Sequence, residues 1–465
     1  MFIESIFDPT KKLKKELIKG EIPPLNTLYL KTAKIAWPSA VEAILVALVG
    51  AIDMMMVGSI GKEAISAVGI CNQPKYLCLA PIFAINTASI VLIARRKGQG
   101  RQKDANDYLK VALIWTLLIS LFFCSLGYAF AREILLFAGA QPDYIDTAVV
   151  YFRIVLSSLV LYSIGYTMSA SQRGAGYTKI AMITNLTANA VNIVFNAILI
   201  NGLFGFPRLG VKGAAIATAI GNVVSFVVAL ISLLNKDRYL RLDFGPIERF
   251  RSKCRKFFDI FRSAFGEQII LRLGFFTYAK VVASLGTAEF AAHQVCMNLM
   301  SITFSFGDGL QAANTSLVGQ SMGAERSDLA IIYSRISQTI GMCFAVILSL
   351  NIALFSRAIV SVFTQDPQVI ALTDIPMKIM ALTVLFQIPQ VITIGALRGA
   401  GDVRFVTMMM TICVGIIRPG ISYILVYPLG LGLTGAWLGC IIDQICRFSY
   451  SLIRFRKGSW TNIKV

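Results

Sequence analysis

The sequence predicts an all-α polytopic membrane protein with twelve transmembrane helices in two six-helix lobes. Three observations carry that expectation: a composition too apolar for water, twelve apolar runs divided by alternately basic loops, and an internal repeat. Of 465 residues, 56% are hydrophobic and 15% charged, against roughly 45–50% and 25% in a soluble domain. A mean hydropathy of +0.69 spreads the excess over the whole length. That argues against a soluble enzyme, a disulfide scaffold and a disordered chain. The natural unit is instead a membrane span of about 20 apolar residues.

The runs follow in order. The first, 31–58, opens behind a basic N-terminal segment, residues 1–30. The second, 64–94, stops at Arg95-Arg96-Lys97, and 108–131 and 145–170 follow. Past an Arg-Gly-Ala-Gly turn come 178–201 and 211–234, which complete an N-lobe over 31–234. A basic linker, 235–261, leads to a C-lobe over 262–455. Its runs are 262–285, 288–318, 330–355, 371–397, 403–427 and 433–455, with a tail at 456–465. Most are long enough to cross a core of ~30 Å as helix. Strands would alternate over about 10 residues, and these runs do not.

Charge separates the connections into two sets. The N-terminus, 95–110, 171–179, 235–261, 320–335, 398–404 and the C-terminus together hold about thirty Lys and Arg. The alternate set holds about five, including Lys62, Arg132, Arg208, Lys212 and Arg357. The positive-inside rule therefore places both termini in the cytoplasm of a multi-pass plasma (inner) membrane protein. The net charge of +19 reads as topology. A nucleic-acid surface would cluster it on one folded, aromatic-studded face, so no nucleic-acid partner is expected. The nine cysteines lack a C-x-x-C pair and the single histidine is His293, which argues against zinc. Behind Lys11-Lys12-Leu13-Lys14-Lys15 there is no apolar stretch of signal-peptide type.

Arg173-Gly174-Ala175-Gly176 recurs as Arg398-Gly399-Ala400-Gly401, 225 residues later. The same offset carries Glu42 onto Glu267, Gly61 onto Gly286 and Gly98 onto Gly323. After a three-residue length difference, LGVKGA from 209 repeats as LGLTGA from 431. Two six-span halves that enter from the same side should be related by a pseudo-two-fold along the membrane normal. The Gly-Ala-Gly turns serve tight reversal of a helix pair. No phosphate-binding loop occurs, so any work would be driven by an ion gradient.

An ionisable group inside a span costs a few kcal/mol on insertion scales and is a functional candidate by default. The acids are Glu42 and Asp53 in the first run and Glu267 in the seventh. Glu42 and Asp53 are 11 residues apart, so they share one helix face about 16 Å apart along the axis. Arg272 stands about 140° around the helix from Glu267 and is no same-face partner. Asp443 and Arg447 read as a structural i, i+4 ion pair, and His293 as a packing residue. Asp308, between Gly307 and Gly309, fits a structural or a functional role equally well. Asn192 and Asn196 present two amides on one face, suited either to a cation or to interhelical hydrogen bonding.

With those residues in hand, the sequence resembles the multidrug and toxic-compound extrusion (MATE) family over nearly its whole length. The resemblance rests on WPSAVEAILVALVGAIDMMMVGSIG from 37, RGAGYTK from 173, LGTAEFAAHQVCMN from 285, LVGQSMGA from 317, LRGAGD from 397 and RFRKGSW from 454. It implies two six-helix lobes around a V-shaped cleft and alternating access. It implies export of organic, often cationic, amphipathic compounds in exchange for H+ or Na+, with no other cofactor. Carried over by residue, it makes Asp53 the first choice for cation coupling, with Asn192, Asn196 and Thr218 beside it. The family often has an acid where Asn196 stands, which leaves one charge at this site and weighs against Na+. Glu42 and Glu267 match acids of one bacterial branch. Gln294 and Gln387 are candidate polar groups of the substrate cleft.

The expected mechanism is competitive occupancy. A deprotonated carboxylate attracts a cationic drug, and protonation from outside releases it. This scheme expects Glu42, Asp53 and Glu267 to be left unneutralised. The competing transport class is a lipid-linked sugar flippase, which usually runs to more spans. A lipid-modifying enzyme would want clustered histidines or a nucleophile. A non-transporting receptor would have no need of repeat-related buried acids. A two-lobe cleft needs no second copy, so a monomer is expected, with membrane lipid and small organic cations as its partners.

Overall fold

A computed structural model describes residues 8–10, 13, 18–58, 60–235, 237–243, 245–364 and 366–463. Lys11, Lys12, Lys14 and Lys15 lie outside the described residues. The described chain is helical throughout, without a strand. Its helices are α1 (Leu25–Gly58), α2 (Lys62–Gly98), α3 (Gln102–Ala129), the short α4 (Ala131–Phe137), α5 (Ile145–Gly174), α6 (Thr178–Asn201) and α7 (Gly210–Leu234). There follow α8 (Phe250–Ala283), α9 (Thr287–Gly323), α10 (Ser327–Ser361) and α11 (Pro367–Gly399). Then come α12 (Val403–Met410), a π-helix (Thr411–Ile417), α13 (Arg418–Val426) and α14 (Gly432–Lys457). The segments α12 to α13 form one continuous span, so each of the twelve predicted runs has its helix. Nine helices among the described residues are apolar and long enough to cross a membrane. The others, α8, α9 and α14, carry more polar side chains. Among these are Glu267 on α8, Gln294 and Asp308 on α9, and Asp443 and Arg447 on α14.

Two compact units divide the chain: Val41–Phe265, and Met1–Ala40 with Gly266–Val465. The two breaks, after Ala40 and after Phe265, are themselves 225 residues apart. Each falls inside a first helix of its half, α1 or α8. The front of α1 therefore belongs to the unit that holds α9–α14, and the front of α8 to the unit that holds α2–α7. Linker residues 235–261 lie wholly within the first unit.

Within each unit the same local devices recur. Gly174, the last residue of α5, lies so close to α2 that a Cβ there would stand 2.9 Å from Ile90 Cα. Gly399, its repeat counterpart on α11, would place a Cβ 2.5 Å from the Thr315 carbonyl oxygen on α9. The second glycine of each motif does different work. Gly176 (φ 83°) and Gly401 (φ 93°) turn the chain through the left-handed region. Their N–H groups donate to the Arg173 and Arg398 carbonyls, both at 2.9 Å. The expected tight reversal is thus formed, and one glycine further upstream adds close helix contact.

In each half the start of the third helix is covered by the segment that leads into the other half. On α3, Gln102 Nε2 donates to the Tyr239 carbonyl at 2.8 Å, and Lys253 pairs with Asp104 at 2.7 Å and Asp107 at 2.5 Å. On α10, the Lys19 N–H donates to Asp328 at 3.3 Å, and Arg326 donates to the Glu21 carbonyl at 2.9 Å. The linker is therefore a docked strap on one unit, as the N-terminal segment is on the other.

Candidate functional site

The unit Val41–Phe265 brings four of the predicted residues together. Asn196 Nδ2 on α6 donates to Asp53 Oδ1 on α1 at 2.8 Å and lies 3.4 Å from Asn192 Oδ1. Asn192 Nδ2 reaches Thr218 Oγ1 on α7 at 3.5 Å, and Thr218 donates to the Ala214 carbonyl at 3.0 Å. Helical periodicity explains the gathering. Asn192 and Asn196 are one turn apart on the buried face of α6, and Gly221 lets α7 close against Asn192. Asn192 and Asn196 are nearly fully buried, whereas Asp53 is half-buried. A half-buried carboxylate braced by a buried amide can exchange a proton or a cation without unravelling the helices around it.

Two residues of this site escaped the sequence reading. Lys75 on α2 lies within electrostatic reach of Asp53, and its Nζ donates to Asn72 Oδ1 at 3.1 Å. The Tyr151 hydroxyl on α5 is hydrogen-bonded to Thr218. Lys75 carried a visible signal. It is a lone cation inside an apolar run, and the argument that singled out intramembrane acids applies to it equally.

Glu42 and Glu267 stand differently from expectation. Arg173 Nη1 donates to Glu42 Oε1 at 2.9 Å, and the Asn185 amide donates to the same oxygen. Both members of the pair are nine-tenths buried or nearly so. In the other unit Glu267 pairs with Arg398. Expected to be unneutralised, each acid is instead held by the arginine of its own Arg-Gly-Ala-Gly motif. The physical reason is that a carboxylate at such burial stays charged only beside a cation. The sequence separation is 131 residues in both halves. A Glu and an Arg that repeat together were the missed signal.

The remaining candidates lie in the second unit. Gln387 is buried on α11 and accepts from Thr303 Oγ1 at 3.4 Å. Gln294 is exposed on α9. His293 packs against Tyr278 at 5.4 Å and Trp437 at 5.8 Å between ring centroids, in keeping with a packing residue. The Asp443–Arg447 pair forms at 2.7 Å, and Arg418 joins it. Asp308 lies within electrostatic reach of Arg398.

A family model described as MatE matches residues 38–198 and again 264–424. A probable multidrug resistance protein NorM of Thermotoga maritima is 28% identical over 451 residues, with 96% of each chain covered. A Bacillus subtilis protein named as an uncharacterized transporter, YisQ, is 27% identical, covering 92% of this chain and 94% of its own. Among solved structures, the outward-facing conformation of a multidrug resistance MATE family transporter matches with a TM-score of 0.85 at 20% identity. It covers 96% of this chain and 99% of its own. A MATE crystal structure in a bent conformation matches at 0.82, likewise at 20% identity, covering 98% and 96%. One model thus falls on each half in turn, more than two thirds of the sequence together, and the chain belongs to the MatE family of membrane transporters.

Proposed function

We propose that the protein is a secondary multidrug efflux antiporter that exports cationic, amphipathic organic compounds in exchange for H+ by alternating access. The observation that carries this reading is the Asp53 cluster: a half-buried carboxylate braced by Asn196, with Asn192 and Thr218 adjoining. Relatives named as multidrug resistance proteins support the substrate class.

The cluster favours H+ over Na+. A sodium site wants oxygens turned toward the ion, yet Asn196 offers Asp53 its N–H. Lys75 already supplies positive charge within reach of the carboxylate. Protonation needs only one carboxylate oxygen. A charged Asp53 attracts a cationic drug, and a protonated one does not, so proton and drug exclude each other. Glu42 and Glu267 act in this scheme as fixed structural charges. The basic loops support both termini lying in the cytoplasm of the plasma membrane.

Efflux of a cationic dye from cells or vesicles tests the proposal, with the proton and sodium gradients collapsed in turn. Collapse of the proton gradient alone should stop efflux in the wild type. Asp53→Asn should insert at wild-type levels and lose pH-driven export. Full pH-driven efflux in that variant, or efflux that follows the sodium gradient, would reject the assignment.

A further inference from the structure

The internal repeat allows the Asp53 cluster to be located in the other half. On α6–α7 the Leu209 N–H donates to the Leu199 carbonyl at 3.0 Å, and on α13–α14 the Leu431 N–H donates to the Leu425 carbonyl at 3.1 Å. Gly213 and Gly435 close on Leu199 and Leu425 in the same way. Leu199 thus corresponds to Leu425, an offset of 226, and Leu209 to Leu431, an offset of 222. The π-helix Thr411–Ile417 accounts for the step from 225 to 226, because a π turn accommodates one additional residue. The counterpart of Asp53 is then Tyr278, that of Asn192 is Arg418, and that of Thr218 is Cys440. The structure agrees. The Arg418 guanidinium lies 5.5 Å from the centre of the Tyr278 ring and within electrostatic reach of Cys440.

The polarity is reversed. The acid of the first unit is replaced by a phenol and the threonine hydroxyl by a thiol, both ordinarily uncharged at neutral pH, and a neutral amide by a guanidinium. Arg418 is 1% exposed, and its Nε and Nη2 donate to Asp443 Oδ2 at 2.9 and 2.8 Å. The same carboxylate also holds Arg447 through two bonds, at 3.1 and 2.7 Å. Two guanidinium charges therefore share one carboxylate inside a span. Three polar atoms here make no hydrogen bond among the described residues: Arg418 Nη1, Trp437 Nε1 and His293 Nδ1. All three side chains border on Tyr278 or on one another. Buried charge in surplus, together with an unused guanidinium N–H on Arg418, is the chemistry of an anion site.

We propose that this unit binds a small monovalent inorganic anion, of chloride size, at Nη1 of the Arg418 guanidinium beside Tyr278. The anion neutralises the charge that Asp443 leaves over. The two halves then carry sites of opposite sign at repeat-related positions.

The test uses the purified full-length protein in detergent, with sodium chloride exchanged for sodium gluconate at constant ionic strength. Thermal melting should rise saturably with chloride, by about 2–4 °C, and not with gluconate. Arg418→Gln leaves Asp443 balanced by Arg447 and should lose the chloride response. Bromide-soaked wild-type crystals should show anomalous density within hydrogen-bond distance of Arg418 Nη1, which decides the matter if Arg418→Gln does not fold. Identical melting in chloride and gluconate, a response that persists in Arg418→Gln, or no bromide at Arg418 would overturn the proposal. Each readout is of binding, so a failure here is distinct from a failure of the efflux reading.

Discussion

Removing the Arg173 charge should show that Glu42 is a structural acid. In Arg173→Gln the carboxylate keeps the Asn185 amide but loses its counter-ion, at a position where Glu42 is 9% exposed. Breaking a buried pair from one side costs roughly 3–5 kcal/mol. The surviving amide bond places the expected cost near the lower end, about 3 kcal/mol. Glu42→Gln alone strands Arg173, which still lies 5.5 Å from the Tyr166 ring centre. The double variant, Glu42→Gln with Arg173→Gln, replaces both charges by amides that can bond to each other. It should recover about 2 kcal/mol of the summed single losses, within the range for directly coupled neighbours. Reversible denaturant unfolding of the full chain in micelles measures the cycle, and dye efflux is followed in the same four proteins. The double variant should keep proton-driven efflux. A coupling energy below about 0.5 kcal/mol would refute the structural assignment. So would a stable double variant with no efflux, since Glu42 would then be needed as a titrating group.

The repeat predicts the same cycle for Glu267 and Arg398, and a coupling of the same sign there is checked by the same unfolding assay. Gly174→Val should reduce folded yield sharply, because its Cβ would stand 2.9 Å from the Ile90 backbone; Gly100→Val, with nothing within 4 Å but a positive φ, should cost less, as read by size-exclusion recovery. Lys253→Met removes the cation between Asp104 and Asp107 and should loosen the strap on α3, giving faster trypsin cleavage after Arg249 and Arg251 with efflux retained. Lys75→Met should shift the pH dependence of efflux to higher pH, since a positive neighbour favours the charged form of Asp53; an unchanged pH profile would remove Lys75 from the site.

Hydropathy located the twelve helices because lipid dictates where apolar length must go. It carried no information on which helices pack together. The front of α1 joins the unit of α9–α14 through close backbone packing, as at Gly309, where a Cβ would stand 2.5 Å from Ala40 Cα. No single run displays that contact. The Asp53, Asn196, Asn192 and Thr218 cluster was legible, in part from i, i+4 spacing and in part from the family resemblance. The partners of Glu42 and Glu267 were hidden by distance in sequence and by motif. Arg173 and Arg398 sit in glycine turns, where the glycines offer a sufficient explanation and the arginine attracts none. Lys75 shows in the sequence the same signal as the acids, a lone charge in an apolar run.

The spacing of the acids on α1 acquires its meaning from α6. Glu42 accepts from Asn185 and Asp53 from Asn196, so both contacts span 143 residues. The amides are 11 apart, as the acids are. Two helices that run in the same direction keep such a register for three turns, about 16 Å, only if they lie nearly side by side. The rungs are not alike. Arg173 reinforces the first with a permanent positive charge, so protonating Glu42 would strand a guanidinium at low dielectric. The second rung joins the half-buried Asp53 to a neutral amide. Its protonation strands no charge at Asn196, and Lys75, which loses an attractive neighbour, keeps its bond to Asn72. A helix fixed at one rung and titratable at the other, three turns on, can report protonation at the second without losing register at the first. Asn185→Leu should therefore lower stability, Asn196→Leu should alter the pH profile of efflux, and the double variant should show both effects. If Asn185→Leu moved the pH profile and Asn196→Leu moved only stability, the division of labour between the rungs would be the reverse of the one argued here.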